Sequence, residues 1–143
     1  MNKISWQNTK SIKESEIIIL GLPDESKSHA LRKGAAEAPY KIREISNIRD
    51  SYLRKGKTTL GLPKDGIKSK VFDYGNITRG EIDEVYDKIL ADSKIPILIG
   101  GDHSISRHVI KAISNTVGKI SLVYFDAHPD FISSTTNYYG SVF

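Results

Sequence analysis

The sequence contains no cysteine among its 143 residues. This absence excludes disulfides, thiolate metal sites and cysteine nucleophiles, which leaves histidine, aspartate and glutamate as the protein ligands available to a metal. Long apolar runs are also missing, and none approaches the length that spans a bilayer. The first six residues, Met-Asn-Lys-Ile-Ser-Trp, lack the apolar core of a signal peptide. We therefore expect a cytoplasmic protein without a membrane partner.

A strong excess of one charge is absent as well. The 21 basic and 17 acidic residues give a formal net charge of +4 and are scattered along the chain, so nucleic acid is not an expected partner. Lysines crowd only the stretch 55–70, where glycines and a proline favour a solvated loop over a phosphate-binding patch. With 38% hydrophobic and 27% charged residues, the composition is that of a globular protein, and the length predicts a single domain over residues 1–143.

Two motifs that are common in α/β enzymes are absent. The sequence has no Gly-x-Ser-x-Gly nucleophile elbow and no glycine-rich phosphate-binding loop of either common type. Serines at 104, 106, 133 and 134 permit a catalytic triad on paper, but Ser104 is better explained as the N-cap of a helix. The sequence therefore argues against these two classes of enzyme.

Apolar periodicity predicts alternating strands and helices. Apolar runs predict strands over 16–22, 71–74, 95–99 and 121–125, with the first and third buried and a turn at Gly75 and Asn76. Helical spacing predicts helices over 39–54, 82–90 and 105–117, with Thr78 and Glu81 as a capping box and Gly118 as a stop. Such βαβ units build a parallel sheet covered by helices on both faces, so the expected fold class is α/β.

Metal-capable side chains follow two of the predicted strands. The run 122–130 ends in Asp126, His128 and Asp130, and side chains at alternate positions of an extended chain point to one side. Gly-Gly-Asp-His at 100–103 follows the strand over 95–99. Because open parallel sheets bind ligands beyond the carboxyl ends of their strands, we expect His103 to lie near the other three side chains.

Carboxylates gathered at this edge would repel one another without a cation. The spacing of Asp102, Asp126 and Asp130 therefore favours a metal site, and a surface hydrogen-bonded cluster remains the alternative. For His29 and His108 we expect a structural role instead. The glycines at 100 and 101 are expected either to make a turn or to let backbone approach a site closely.

Gly-Gly-Asp-His-Ser at 100–104 and Asp-Ala-His-Pro-Asp at 126–130 together resemble the ureohydrolases, the arginase and agmatinase family of binuclear manganese enzymes. Upstream, Leu-Gly-Leu-Pro-Asp at 20–24 and Val-Phe-Asp-Tyr-Gly at 71–75 are similar to the family's N-terminal pattern and second strand. The resemblance covers nearly the whole chain. It implies a three-layer α/β/α fold with a mainly parallel sheet, of which these residues form the N-terminal half.

The same resemblance implies a role for each site residue. His103 would bind one Mn2+ ion, His128 the other, Asp126 would bridge both, and Asp130 would join His103 on the first. Asp126 and His128 would be catalytic, and Asp102 would lie behind the ligands. Two divalent ions would lower the pKa of a bridging water, and the resulting hydroxide would attack the guanidinium carbon and release urea. Oxygen ligands with imidazole suit manganese, and other divalent metals remain open.

The sequence departs from the family's pattern in three ways. The family's domain is about twice this long, and its Asp-x-Asp ligands have no counterpart before Phe143, so four of six expected ligands are present. Tyr138 and Tyr139 stand where family members usually carry a histidine. Phe-Ile-Ser-Ser at 131–134 lacks the Asn-Thr pattern of arginases, which favours agmatine or a related guanidino substrate.

The expected function is therefore that of an agmatinase-like hydrolase of polyamine metabolism, assembled as a homo-oligomer, a trimer or hexamer by family resemblance. The alternative is a catalytically degraded or truncated relative with a role in binding or assembly. A deacetylase with a single zinc ion is disfavoured, because Gly-Gly-Asp-His-Ser supplies the ligand of a second metal position. Alone, the chain is expected to bind metal poorly and to expose an edge strand.

Overall fold

The computed structural model describes residues 2–28, 30–54, 68–128 and 130. The described elements, in chain order, are β1 (Ile17–Leu22), α1 (Ala38–Arg54), β2 (Val71–Asn76), α2 (Ile82–Ala91), β3 (Ile95–Gly100) and α3 (Ser104–Val117). Short 3-10 turns precede α1 at Ala35–Glu37 and α2 at Arg79–Glu81. This alternation confirms the α/β fold class, and none of the described helices is long and apolar enough to cross a bilayer.

The three described strands form one sheet in the order β2-β1-β3, and both pairs of strands are parallel. The parallel sheet expected from the sequence is therefore confirmed. β2 is longer than predicted, because Gly75 and Asn76 pair with Leu20 and Gly21 of β1 and do not form a turn. The carboxyl ends of all three strands lie along one edge of the sheet, since parallel strands run in the same direction.

The central strand β1 buries side chains on both faces of the sheet. On one face, Ile18, Leu20 and Leu22 pack in a core with α2 and α3. The helical residues buried there are Ile82, Val85, Tyr86 and Ile89 of α2 with Ile105 and Ala112 of α3. On the other face, Ile19 packs with Ile4 and Val71. The two helices predicted after the second and third strands are therefore confirmed, and each buries one apolar face against the sheet.

Helix ends follow the predicted signals with one exception. The Glu81 carboxylate accepts hydrogen bonds from the backbone N–H and the hydroxyl of Thr78, both at 2.7 Å, and Gly118 ends α3 with φ 84°. The prediction of Ser104 as an N-cap is wrong, because Ser104 is already the first residue of α3. Its N–H donates to the Asp102 carboxylate at 2.8 Å, so Asp102 takes the capping role.

The strand predicted over 121–125 is not formed. These residues have no regular structure, and the side chain of Phe125 is 95% exposed. Within the described residues no strand pairs with the far side of β3, and an extended segment without a neighbour can neither bond its backbone groups nor bury its side chains. β3 is likewise only partly buried, against the prediction, because Ile95 and Ile97 are exposed at this edge.

α1 is joined to the sheet through a buried charge. Arg43 is 1% exposed, although Ile42 and Ile45, whose spacing predicts the helix, are exposed. Its guanidinium donates to both oxygens of the Asp73 carboxylate at 2.8 Å each. Its remaining N–H groups donate to the carbonyl oxygens of Pro39 and Gly75 and to Oδ1 of Asn76. All five donors of the guanidinium are therefore used.

Hydrogen bonds also fix the charge of the buried acid. Burial alone raises the pKa of Asp73, but hydrogen bonds from Arg43 and from the backbone N–H groups of Ile4 and Gly75 outweigh it and hold the pKa below its usual range. The stabilisation by this carboxylate is therefore fully present above about pH 4 and is lost as the pH falls through the lowered folded-state pKa.

Replacing Asp73 by Asn is expected to reduce the free energy of unfolding by about 3 kcal/mol, because the charge of Arg43 would stay buried without its partner. Urea unfolding at pH 7 measures the change. Glu44→Gln is the matched control, since it removes an exposed partner of Lys41 and should change the free energy by less than about 0.5 kcal/mol. Equal, small effects of the two substitutions would contradict the role assigned to the buried pair.

Candidate metal centre

The carboxyl ends of β1 and β3 are held together by their backbones. The N–H of Asp102 donates to the carbonyl oxygen of Asp24 at 3.0 Å. A Cβ at Gly101 would overlap that same carbonyl group, so only glycine fits there. The close approach predicted for the glycines is thus between the backbone at Gly101 and the end of β1. This contact fixes the chain just before His103, which directly precedes α3.

A second set of contacts braces the start of α3. The Asp102 carboxylate accepts hydrogen bonds from the N–H and the hydroxyl of Ser104, which is buried. Arg79 donates to Ser104 Oγ at 3.0 Å and to the Asp24 carboxylate at 2.7 Å. The hydrogen bond from Arg79 lowers the pKa of Asp24 to about 2. His108 belongs to the same network, because its Nδ1 lies 3.3 Å from a guanidinium nitrogen of Arg79. This position agrees with the structural role expected for His108.

Three of the four predicted metal ligands come together at this edge of the sheet. Each of His103, Asp126 and Asp130 offers one ligand atom, and these atoms lie within 4.8 Å of one another. His103 Nε2 is 3.0 Å from Asp130 Oδ2. The Asp130 backbone has φ 47°, a left-handed conformation, and its side chain is buried. Asp102 lies beside this cluster and is not one of its three members.

His128 does not join the other three. The chain bends at 127–128, so the alternation of an extended strand is lost and the His128 side chain is 80% exposed. Its Nδ1 lies 3.6 Å from Asp126 Oδ1. Its backbone N–H donates to the same oxygen at 3.0 Å, and this hydrogen bond is the main cause that lowers the pKa of Asp126. The expectation that all three alternate side chains converge fails here, because it required an extended backbone.

Tyr124 is a member of the cluster that sequence reasoning missed. Its hydroxyl oxygen lies 2.8 Å from His103 Nε2, 2.8 Å from Asp130 Oδ2 and 3.2 Å from Asp126 Oδ2. Desolvation and the two carboxylates raise its pKa, which keeps the hydroxyl protonated. The signal was available, because Tyr124 precedes Asp126 by two residues and so points to the same side of an extended segment.

Ser106 contacts the opposite side of the His103 ring. Its hydroxyl lies 3.2 Å from Nδ1, one turn into α3. When Nδ1 carries the proton, it donates to Ser106, and the lone pair of Nε2 faces Asp130 and Tyr124. Metal-ligating histidines are oriented by such a hydrogen bond on their other nitrogen.

The donor set suits a divalent cation such as manganese. One imidazole nitrogen and two carboxylate oxygens surround a hydroxyl that carries a single proton, so that proton can serve only one acceptor at a time. A cation would interact with the imidazole nitrogen and both carboxylates at once. Oxygen atoms together with imidazole nitrogen are ligands that manganese accepts. An open cavity of about 470 Å³ lies beside the cluster, lined by the end of β3, the first turns of α3, Leu122 and Tyr124.

The model of the arginase family matches residues 15–143. The chain belongs to this family. It is 30% identical to an agmatinase of Bacillus anthracis, covering 92% of this chain and 46% of the relative, and 32% identical to a guanidinobutyrase of Pseudomonas aeruginosa, covering 71% and 33%. It also matches the crystal structure of the agmatine ureohydrolase of Thermoplasma volcanium at 26% identity, with a TM-score of 0.70 over 99% of this chain and 48% of that one. The chain thus spans less than half the length of these relatives.

Several sequence predictions fall outside the described residues. These are the structural role of His29, the solvated loop over 55–67, the Phe-Ile-Ser-Ser segment at 131–134 and the tyrosines at 138 and 139. Lys68 and Lys70 are described and are exposed, as expected for surface lysines.

Replacing Ser106 by Ala is expected to weaken Mn2+ binding by about tenfold, because His103 would lose the hydrogen bond that orients its ring. Isothermal titration of the metal-free full-length protein with MnCl2 measures the dissociation constant. Ser114→Ala is the matched control, since it makes the same change in α3 about two turns further along. If both variants bind Mn2+ like the wild type, Ser106 does not position His103.

Proposed function

We propose that the protein containing this chain is an agmatinase-like ureohydrolase, which hydrolyses a guanidino compound and releases urea. The observation that carries the proposal is the convergence of the ligand atoms of His103, Asp126 and Asp130 within 4.8 Å at the carboxyl edge of the sheet. Membership of the arginase family supports it, and the matched relatives named agmatinase and guanidinobutyrase support a guanidino substrate.

The proposed site takes His103, Asp126 and Asp130 as metal ligands in their observed arrangement. His128 is proposed as a fourth ligand, which requires its exposed ring to turn toward the site. When bound, two Mn2+ ions would supply hydroxide at neutral pH by lowering the pKa of water. Asp126 and His128 are proposed as the catalytic pair. Asp126 is suited to bind a cation, because the hydrogen bond from the backbone N–H of His128 lowers its pKa and keeps its carboxylate ionised.

Agmatine is the proposed substrate among guanidino compounds, because two of the matched proteins carry that activity in their names. A cytoplasmic location, a role in polyamine metabolism and assembly as a trimer or hexamer belong to the same proposal. The apolar cavity beside the cluster, with Leu98, Ile105 and Leu122 in its lining, is available for the hydrocarbon part of such a substrate.

Incubation of the full-length protein with Mn2+ and agmatine is expected to release urea, measured colorimetrically. Asp126→Asn should reduce the rate by at least about 100-fold, because it removes a charged ligand at the reacting centre. Asp83→Asn, an exposed change in the first turn of α2, is the matched control and should leave the rate unchanged. No urea from agmatine or from any other guanidino compound would contradict the proposed activity.

A catalytically degraded relative with a binding or assembly role is the second candidate. The exposed His128 ring, which lies apart from the other ligands, favours it. Metal analysis of the full-length protein by mass spectrometry separates the two functions. The protein is dialysed against buffer that contains only a trace of Mn2+. An active ureohydrolase is expected to retain two Mn2+ ions per chain, whereas a degraded relative should retain none.

A further inference from the structure

We propose that the Tyr124 hydroxyl competes with the metal for the ligands of this site, so that Tyr124 sets the strength of metal binding from within the cluster. The inference rests on the proposed function, because it concerns the same ligands. It adds a residue that is not one of the ligands and assigns it an effect opposite to that of a ligand.

The position of the hydroxyl is the first observation. Its oxygen lies within hydrogen-bond distance of a ligand atom of His103, of Asp126 and of Asp130. These are the three side chains whose ligand atoms gather within 4.8 Å. A hydroxyl placed in this way directs its proton at lone pairs that a cation would need, so the metal can bind fully only after these hydrogen bonds are given up.

The nature of the side chain is the second observation. The Tyr124 ring is tilted by 48° against the His103 ring, with 5.7 Å between the ring centroids. This contact holds the ring beside the imidazole and keeps its hydroxyl directed into the cluster. Phenylalanine would preserve the ring and its packing and remove only the hydroxyl. The chain therefore offers a substitution that separates competition from packing.

The experiment measures the dissociation constant of Mn2+ by isothermal titration of the metal-free full-length protein. Tyr124→Phe is expected to bind Mn2+ about tenfold more tightly than the wild type, which corresponds to about 1.4 kcal/mol and to the loss of one hydrogen bond to a charged acceptor. Tyr74→Phe is the matched control, because Tyr74 lies exposed on β2, and it should bind like the wild type.

Unchanged or weaker binding by Tyr124→Phe would overturn the inference, and weaker binding would make the phenol a ligand. A wild-type protein that binds no Mn2+ would instead remove the proposed function itself, so the two failures are distinguishable. Tyr124→Leu provides a second variant without the hydroxyl, and melting curves recorded before metal addition establish that each variant is folded. Tighter binding by both variants would support competition by the hydroxyl.

Discussion

The buried pair of Arg43 and Asp73 is the interaction on which the described fold depends. A charged guanidinium inside a protein is tolerated only when every donor is satisfied, and here all five are. The partners lie on α1 and on β2, while Asp73 also accepts the N–H of Ile4. One ion pair therefore connects a helix, a strand and the N-terminal segment. It does so in a layer where residues 38–48, the part of α1 whose side chains are described, bury few apolar groups. Packing on the opposite face, through α2 and α3, is conventional and apolar.

The candidate centre depends on a second constraint, the contact between the ends of β1 and β3. Because the Asp24 carbonyl receives the N–H of Asp102 and excludes a Cβ at Gly101, the chain leaves β3 along one path only. Asp102 then caps α3, and Arg79 joins Ser104 to Asp24. His103 is the residue between these fixed points. The backbone of this candidate ligand is therefore positioned by contacts that include neither Asp126 nor Asp130, which is how a rigid scaffold presents a side chain to a site.

Sequence periodicity predicted most of the fold because β1, α2 and α3 bury their apolar residues where the period requires. It failed for residues 121–125, which are apolar enough for a strand but do not pair with the open edge of β3. The three side chains that converge, His103, Asp126 and Asp130, followed from the expectation that their segments end at one edge of the sheet, although 121–125 forms no strand. His128 did not, because a bend at 127–128 is not encoded in alternation. The burial of Arg43 could not be predicted from the sequence, since it depends on Asp73, which lies 30 residues further along the chain.

The two nitrogens of His103 link the orienting contact to the competing one. If Nδ1 carries the proton, Ser106 accepts it, and Nε2 presents its lone pair to the cluster. If Nε2 carries the proton, it is directed toward Tyr124 and Asp130, and the ring cannot bind a metal through that atom. Ser106 therefore favours the tautomer that binds a cation, whereas the carboxylate of Asp130 favours the other. His103, Asp126 and Asp130 would hold a divalent cation in the first tautomer, and its charge would offset the preference of Asp130 for the second.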